Sequence, residues 1–310
     1  MNNPLDALQL DILTQVSGLG GIPTGGAYNI RVNGVSAGRA SSENIAITPK
    51  PAGAGIDIRV KPGTKGETVY IPVVISQDGH TELVYNDFFI GEGADVTIIA
   101  GCGIHNCGEG LSQHDGIHTF HLEKGSRAVY EEKHFGAGDG SGKRILNPVT
   151  NVHLAPGSHM EMDTVQIKGV DSTRRMTYAK IGNGAKLLVR EKLMTHGDQF
   201  AETTFEVDLC GEDSAAHVIS RAVAKGSSRQ VFLSKVLGNS RCTGRTECDA
   251  IIMDGASVSA IPEIAANNVN ASLVHEAAIG RIAGEQLTKL MTLGLTEQEA
   301  EEQIVNGFLK

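Results

Sequence analysis

Short runs with a β-like pattern of apolar and polar residues recur along most of this chain, from about residue 28 to residue 260. Many of these runs open with a glycine followed by a small or polar residue. Five of these openings are separated by 32, 32, 27 and 27 residues: Gly93, Gly125, Gly157, Gly184 and Gly211. An imperfect repeat of this length is typical of a β-solenoid, in which each coil stacks on the previous one. An antiparallel sandwich with similar turn spacing stays open as the alternative.

The start of the chain has a helical pattern instead. The segment Pro4–Val16 predicts a short amphipathic helix whose apolar residues share one side: Leu5, Leu8, Ile12 and Val16. The glycine-rich stretch over 18–26 then ends the helix.

The pattern becomes helical again after about Asn270. Residues 275–294 predict a helix that Gly294 ends, with an apolar face made of Ile279, Ile282, Leu287, Leu290 and Met291. A second helix follows, for which Thr296 and Glu299 form a capping box. We therefore expect an N-terminal helix over 1–20, a β-helix core over 21–270 and a C-terminal helical region over 271–310.

Composition and charge narrow the class of protein. The chain has 38 glycines and only 4% aromatic residues, which suits many short strands and tight turns. Its net charge of −9 and the absence of a basic stripe argue against nucleic-acid binding. No apolar run is long enough to span a bilayer, and the first residues lack the basic region of a signal peptide. Together with an odd number of cysteines, five, these features predict a cytoplasmic protein with free thiols.

The stretch GCGIHNCGEGLSQHDGIH, residues 101–118, is unusually rich in residues that bind metals. Its candidate ligands are Cys102, His105, Cys107, His114 and His118. Only six residues separate the second cysteine from the next histidine, which is too few for a zinc finger. A loop site for zinc or iron stays open. So does the alternative that the first cysteine is a small buried residue and the histidines are on strand surfaces.

The C-terminal part of the chain carries a more specific pattern. Between Glu247 and Phe308 the sequence contains, in order, CDAII, HEAAIGRI, EQL, LTEQEA and IVNGF. This combination resembles the C-terminal signature of the SufB/SufD family of iron–sulfur cluster scaffold proteins. The resemblance implies right-handed parallel β-coils followed by helices on which a SufC-like ABC ATPase docks. It also implies pairing through the β-helix edge, here as a homodimer. The chain has no P-loop of its own, since GAGDGSGKR (residues 136–144) fails the pattern, and this fits an ATPase supplied by a partner.

The resemblance also implies which residues act. The positions that match the family are Cys248, which would carry sulfur or ligate iron, and Glu276, an oxygen ligand for Fe(II). The neighbouring His275 would ligate or relay protons. Because SufD-like chains usually lack the cysteine and the glutamate, this chain is similar to a compact SufB-like scaffold. Its cargo would be an iron–sulfur cluster, with 4Fe–4S as the expected type, built from iron and from sulfur that a donor supplies, and passed to apo-protein acceptors.

Three functions are therefore open. The first is a non-enzymatic scaffold whose partner hydrolyses ATP, with Cys102 and Cys107 supplying additional thiolates. The second is a metal-dependent enzyme with its metal site at 102–118. The third is a purely structural β-solenoid that binds the ATPase.

Overall fold

The computed structural model describes residues 5–51 and 53–310. Helix α1 (Ala7–Ser17) begins after Asp6, which forms a capping box with Gln9. Pro4, where the predicted first helix begins, lies outside the described residues. Within the helix Ile12 and Val16 are buried as expected, but Leu8 is exposed and Leu13 is buried in its place. The predicted apolar face is therefore wrong at one position, where Leu13 rather than Leu8 is buried.

Twenty strands follow in the described part of the chain. The first ten are β1 (Ala27–Val32), β2 (Val35–Ala40), β3 (Ile45–Pro49), β4 (Gly55–Val60), β5 (Lys65–Ile75), β6 (Thr81–Ile90), β7 (Asp95–His105), β8 (Ser112–Leu122), β9 (Arg127–Ala137) and β10 (Arg144–Leu146). The second ten are β11 (Val149–Leu154), β12 (His159–Lys168), β13 (Ser172–Ile181), β14 (Lys186–Thr195), β15 (Phe200–Leu209), β16 (Ser214–Ala224), β17 (Arg229–Gly238), β18 (Cys242–Ile252), β19 (Ser257–Ala266) and β20 (Ser272–Gly280). Helices α2 (Gly284–Thr292) and α3 (Glu297–Phe308) end the chain.

The strands form a parallel β-solenoid of about eight turns, which confirms the predicted fold class. The first sheet has the order β2-β1-β5-β7-β9-β12-β14-β16-β18-β20. The second has the order β19-β17-β15-β13-β10-β8-β6-β4-β3, with β11 beside β8 and β13. Only the pairs β1–β2 and β3–β4 are antiparallel among the described strands.

The register of the strands reproduces the repeat in the sequence. His159 on β12 pairs with Arg127, 32 residues earlier, and with Lys186, 27 residues later. Four of the five repeat glycines adopt the left-handed backbone conformation at a corner between strands, with φ between 62° and 69°: Gly93, Gly125, Gly157 and Gly184. The fifth, Gly211, has no positive φ, but an added Cβ would lie 2.1 Å from the backbone of Gly182 and Asn183. The spacing of these glycines in the sequence is thus the spacing between corners of successive coils.

The core lies between the two sheets. Along most strands every second residue is buried, as in β15, because successive side chains point to opposite faces of a sheet. One apolar cluster built this way extends from Ala27 to Cys248 and includes the stacked rings of Phe88 and Phe120. We call the space between the sheets the interior of the solenoid.

The C-terminal region differs from the prediction. Residues 275–280, expected to be helical, belong to strand β20, and α2 begins only at Gly284. The free edge of β18 accounts for this, because β20 pairs with it residue by residue from Thr243↔Ser272 to Ile251↔Gly280, which outweighs helix propensity. The capping box of the last helix is confirmed, with Thr296 and Glu299 bonded reciprocally. No helix in the described part of the chain is both long and apolar enough to cross a membrane.

Candidate functional site

Cys248 lies in the middle of β18 with its side chain in the interior of the solenoid. It is 1% exposed, and its register neighbours are Ser220 on β16 and Ala277 on β20. Burial, reinforced by the charges of Glu191 and Asp249, raises the pKa of the Cys248 thiol to about 12. The resting side chain is therefore a protonated thiol, which becomes a thiolate when a cation such as Fe(II) replaces the proton.

His275 lies on the same side of the sheet as Cys248. It is in register with Thr246, which is buried two residues before the cysteine, and Thr246 Oγ1 and His275 Nδ1 are hydrogen-bonded at 2.5 Å. The second ring nitrogen, Nε2, is buried and has no hydrogen-bond partner within the described ranges. Burial also lowers the pKa of His275, so the ring is neutral at neutral pH. An unsatisfied nitrogen next to the interior thiol is a ready ligand for a metal.

Glu276 lies on the opposite, outer face of the first sheet. It is in register with Glu247, and its side chain is 56% exposed. Arg245 Nη2 donates to Glu276 Oε2 at 2.8 Å, and His217 Nε2 contacts Glu247 Oε1 at 2.9 Å. The structure therefore places Cys248 and His275 on one face of the first sheet and Glu276 on the other, because residues one position apart on a strand point to opposite faces.

The candidate ligands in residues 101–118 are also divided between the interior and the outer surface. Cys102, on β7, is 2% exposed, and His114 and His118 are buried on β8. These three side chains line one interior cavity of about 20 Å³, together with Glu132 and His134. The volume is enough for a single water or ion. Over residues 5–51 and 53–310, no group of three or more His, Cys, Asp or Glu side chains has the arrangement needed to hold a metal ion.

The groups around this cavity are held in defined positions. His114 Nδ1 contacts Glu82 Oε1 at 3.0 Å, and Arg31 donates to the other carboxylate oxygen at 2.6 Å. Burial alone would raise the pKa of Glu82, but the hydrogen bonds and charges of His114 and Arg31 hold it at about 2. An added Cβ at Gly116 would lie 3.3 Å from His114 Nε2 and 3.2 Å from His118 Nε2. The glycine thus leaves open the space that both nitrogens border.

Two of the other groups are neutral in the resting protein. His118 Nδ1 is hydrogen-bonded to Tyr130 Oη at 2.8 Å, and burial lowers the pKa of His118 to about 4. Burial raises the pKa of the Cys102 thiol, and the charges of Glu82 and Glu132 raise it further. The cavity is thus bordered by an uncharged thiol and an uncharged imidazole, the protonation states from which soft metal ligands form.

A chain of buried polar groups leads from this cavity towards Cys248. Tyr130 Oη donates to Glu132 Oε1 at 2.9 Å, and Arg175 pairs with Glu132. Arg175 Nε also lies 3.8 Å from Glu191 Oε1, and Ser220 Oγ donates to Glu191 Oε2 at 2.7 Å. We call these five residues the interior polar chain. It ends next to the predicted site, because Ser220 is the register neighbour of Cys248.

The ligand-rich stretch and the C-terminal signature do not include the three charged members of this chain: Glu132, Arg175 and Glu191. The signal was present, since each stands at a position of its strand whose neighbours two residues away are buried, such as Tyr130 for Glu132 and Val189 for Glu191. A charge at an inward position of an alternating strand is unusual and is generally paired.

His105 and Cys107 lie outside the interior. His105 is the last residue of β7, and Cys107 is exposed in the loop that follows. Cys107 Sγ lies 3.7 Å from both His105 ring nitrogens. The five candidates of the 101–118 stretch are therefore split into an interior group of three and a surface pair.

The last coil of the solenoid is open. Strands β19 and β20 stand at the ends of their sheets. Ile264 and Ile279 occupy inward positions, in register with the buried Val236 and Ala250, yet they are 43% and 38% exposed. Because no further coil covers them, Cys248 and His275 lie within one coil of an uncovered apolar end.

The C-terminal helices lie beside the solenoid. Val305 and Leu309 pack against Val223 and Met253, which attaches α3 to the coils. Helix α2 buries none of its residues, and Met291 and the adjoining Leu293 are exposed. The helical region therefore presents apolar side chains to solvent.

Comparisons with known proteins agree with this architecture. Residues 74–308 match the family model described as the SufBD core domain of the SUF system for FeS cluster assembly. The chain is 27% identical over 258 residues to an iron–sulfur cluster assembly SufBD family protein of Archaeoglobus fulgidus, a match that covers 83% of this chain and 68% of the relative. It is 28% identical over 261 residues to one from Methanothermobacter thermautotrophicus, covering 82% and 62%. A third, from Methanocaldococcus jannaschii, is 24% identical over 255 residues, covering 81% and 79%.

The match spans 62% of the Methanothermobacter relative, which is less than two thirds of its length, and 68% of the Archaeoglobus relative, which is slightly more than two thirds. The match nevertheless includes the coils that carry Cys102, Cys248 and His275 and both C-terminal helices. Because the family model covers most of its length, the chain belongs to the SufBD family, whose members take part in iron–sulfur cluster assembly.

Proposed function

We propose that this protein is a SufB-like scaffold on which an iron–sulfur cluster is assembled and from which it is transferred. The observation that carries the proposal is the position of Cys248 and His275 on the same interior face at the open end of the solenoid. The cluster is cargo and the protein itself is not an enzyme, so ATP hydrolysis belongs to a separate subunit.

The donor set suits a site that must release its product. Four thiolates hold a cluster tightly, whereas a site with one thiolate, imidazole and carboxylate ligands is more exchangeable. Cys248 supplies the thiolate and His275 Nε2 the free nitrogen. Glu276, on the outer face, offers an oxygen ligand where Fe(II) arrives from solvent. We expect a 4Fe–4S cluster, with further ligands from a second copy of the chain.

The shape of the molecule supports two partners. The uncovered end, with Ile264 and Ile279, suits pairing with a second copy through the β-helix edge, because unpaired strand edges and exposed apolar residues favour association. The exposed Met291 of α2 and the adjoining Leu293 suit docking of a SufC-like ABC ATPase. All five cysteines are free thiols, as expected for a cytoplasmic protein that meets a sulfur donor and apo-protein acceptors.

Anaerobic reconstitution with Fe(II) and sulfide, with the ATPase present, tests the scaffold. We expect the wild-type protein to develop thiolate-to-iron charge-transfer absorption, Cys248→Ala to lose it, and His275→Ala to bind less iron. Cys242→Ala is the matched control, because Cys242 is also buried on the interior face of β18 but is the first residue of the strand, away from Cys248. A wild-type protein that binds no cluster under these conditions would contradict the proposal.

A metal-dependent enzyme is the second candidate, and one observation favours it: the cavity gathers Cys102, His114 and His118. Iron binding by variants separates the two. If Cys102→Ala abolishes iron binding while Cys248→Ala does not, the metal site is at the cavity. If neither variant nor the wild type binds iron but the ATPase still binds, the solenoid has a structural role.

A further inference from the structure

A cluster of charged side chains surrounds Glu276 on the outer face of the first sheet, near its open edge. It consists of His217 on β16, Arg245 and Glu247 on β18, and Glu276 on β20. His217 is in register with Arg245, and Glu247 with Glu276. Burial alternates along β16 and β18 at these positions, which places the side chains on the outer face. We call these four residues the outer charge cluster.

Two carboxylates of this cluster lie side by side. Glu247 and Glu276 are directly opposite each other on neighbouring strands, where like charges repel. Arg245 neutralises both: its Nε lies 2.5 Å from Glu247 Oε1, and its Nη2 donates to Glu276 Oε2 at 2.8 Å. The guanidinium therefore occupies the space between the two carboxylates.

The two ion pairs of Arg245 differ in their surroundings. Glu247 Oε1 is also in contact with His217 Nε2 at 2.9 Å, and the Glu247 side chain is 22% exposed. The Glu276 side chain is 56% exposed, and its one ion pair within the described part of the chain is with Arg245. Exposed ion pairs are weak because water competes for both partners. Arg245 is thus anchored on Glu247, and its contact with Glu276 is the one that opens more easily.

Without the arginine, the same residues offer the donors of a chelating metal site. The two strands are about 4.8 Å apart, which is close enough for two opposite carboxylates to share one cation. Carboxylate oxygens and an imidazole nitrogen are ligands for Fe(II) and Mn(II). A site with two carboxylates and His217 holds such an ion more tightly than one carboxylate does, because affinity rises with the number of charged ligands. A scaffold that passes its iron on requires the weaker arrangement.

We propose that Arg245 keeps Glu276 a single, exchangeable ligand for Fe(II) by filling the space between Glu276 and Glu247 that a divalent cation would otherwise occupy. This inference rests on the proposed scaffold function and adds a positioning residue to it. Arg245 acts through Glu276 and does not itself contact the iron. When Fe(II) arrives, the guanidinium releases Glu276 and stays on Glu247, so that the second carboxylate is not available to trap the ion.

Binding of Mn(II) to the metal-free, full-length protein tests the proposal. Mn(II) prefers the same oxygen ligands, and the electron paramagnetic resonance signal of the free ion weakens when it binds. We expect Arg245→Met to bind one Mn(II) about tenfold or more tightly than the wild-type protein, because two carboxylates become available together. Arg245→Lys keeps the positive charge and should stay close to the wild type.

A second substitution identifies the ligands of the gained site. Adding Glu247→Gln to Arg245→Met is expected to return the affinity for Mn(II) to that of the wild-type protein. Arg245→Met that binds Mn(II) no more tightly than the wild type overturns the proposal. So does a gain that survives Glu247→Gln, because the ion would then be held elsewhere.

Arg59→Met is the matched control for the loss of a surface charge. The Arg59 side chain is 57% exposed, compared with 47% for Arg245, and it pairs with one carboxylate, that of Asp57, at 3.2 Å. Lys50 continues to neutralise Asp57 at 2.6 Å, so no pair of carboxylates becomes free. Affinity for Mn(II) should be nearly unchanged in this variant. A gain as large as that of Arg245→Met would show that any lost cation suffices, and the proposal would be wrong.

Release of iron provides a second readout. Loaded anaerobically with Fe(II) and mixed with the chelator ferrozine, Arg245→Met should release its iron about tenfold or more slowly than the wild-type protein, because tighter binding is expressed mainly in slower dissociation. Equal release rates contradict the role of Arg245 in exchange.

Failure of this inference is distinguishable from failure of the scaffold function, because Mn(II) binding is measured without sulfide and without the ATPase. If the wild-type protein assembles no cluster while Arg245→Met gains the Mn(II) site, the scaffold function fails and the effect of Arg245 on the carboxylates stands. If the wild-type protein assembles a cluster and Arg245→Met gains no Mn(II) site, only the inference about Arg245 fails.

Discussion

The free-energy cost of burying a charged side chain in the interior depends on the residues beside it. Arg175 stands between Glu132 and Glu191, and all three side chains are buried. Burial alone would raise the pKa of Glu132, but Arg175 contributes most to holding it well below the usual range. The Glu132 carboxylate is thereby kept ionised inside the protein, and Arg175 joins it to Glu191 on the way from the Cys102 cavity to the neighbourhood of Cys248.

Removing the guanidinium should therefore destabilise the protein strongly. We expect Arg175→Met to cost about 3–5 kcal/mol in the free energy of unfolding, because it leaves two carboxylates buried without their cation. Urea unfolding at pH 7 measures this. Arg174→Met is the control: Arg174 is exposed one residue earlier, near the ring of Phe200, and its loss should cost less than about 1 kcal/mol. Equal effects of the two variants would show that the buried ion pairs contribute little.

At the scale of elements, β20 and α3 show how the same C-terminal region takes two structures. The HEAAIG segment contains alanines that favour a helix, yet it pairs with the open edge of β18. After Gly280 no strand edge continues, and the chain turns into helices. Helix α3 is attached to the solenoid by a few apolar side chains, among them Val305 and Leu309, which pack against Val223 and Met253.

This attachment predicts a local rather than a global effect of mutation. We expect Val305→Asp to reduce the local stability of α3 by at least about 2 kcal/mol, because a buried valine is replaced by a charge without a partner. Hydrogen exchange should then be faster in α3 while the central strands keep their protection. Asn306→Asp introduces the same side chain at the next, exposed position and should leave exchange nearly unchanged. Unaltered exchange in Val305→Asp would mean that other contacts hold the helix.

At the scale of the whole molecule, the two ends of the solenoid differ. At the N-terminal end, α1 packs with Ile12 and Leu13 against β1 and β5 residues such as Ile30 and Val74. At the C-terminal end, no helix or strand within the described residues covers the inward positions Ile264 and Ile279. The predicted Cys248 site is near the uncovered end, where a second copy can complete it.

The open end therefore predicts a dimer that single substitutions disrupt. We expect the wild-type protein to sediment as a dimer in analytical ultracentrifugation, and Ile264→Lys and Ile279→Lys to sediment as monomers, because a buried lysine at the interface lacks a partner. Val35→Lys, at an exposed position near the other end, should remain dimeric. A monomeric wild-type protein at micromolar concentrations would rule out this interface.

The resemblance to the SufB/SufD family selected the solenoid over the sandwich. The amino-acid sequence by itself determined the coil lengths and the capping box of the last helix. It could do so because these features depend on residues that are close together in the sequence. Alternation with period two indicates a strand, a glycine indicates a corner, and two residues three positions apart indicate the start of a helix. The error over residues 275–280 arose where a distant strand edge outweighed local helix propensity.

Only the tertiary structure decided which candidate residues meet. Strand register places residues about 27 to 32 positions apart side by side, and the pleat sends neighbouring residues to opposite faces. Cys248 therefore shares a face with His275 and not with Glu276, and Cys102 joins His114 and His118 inside while Cys107 stays at the surface with His105. The density of ligand residues along the chain could not distinguish these groups, because chemistry depends on which face of a sheet each side chain occupies.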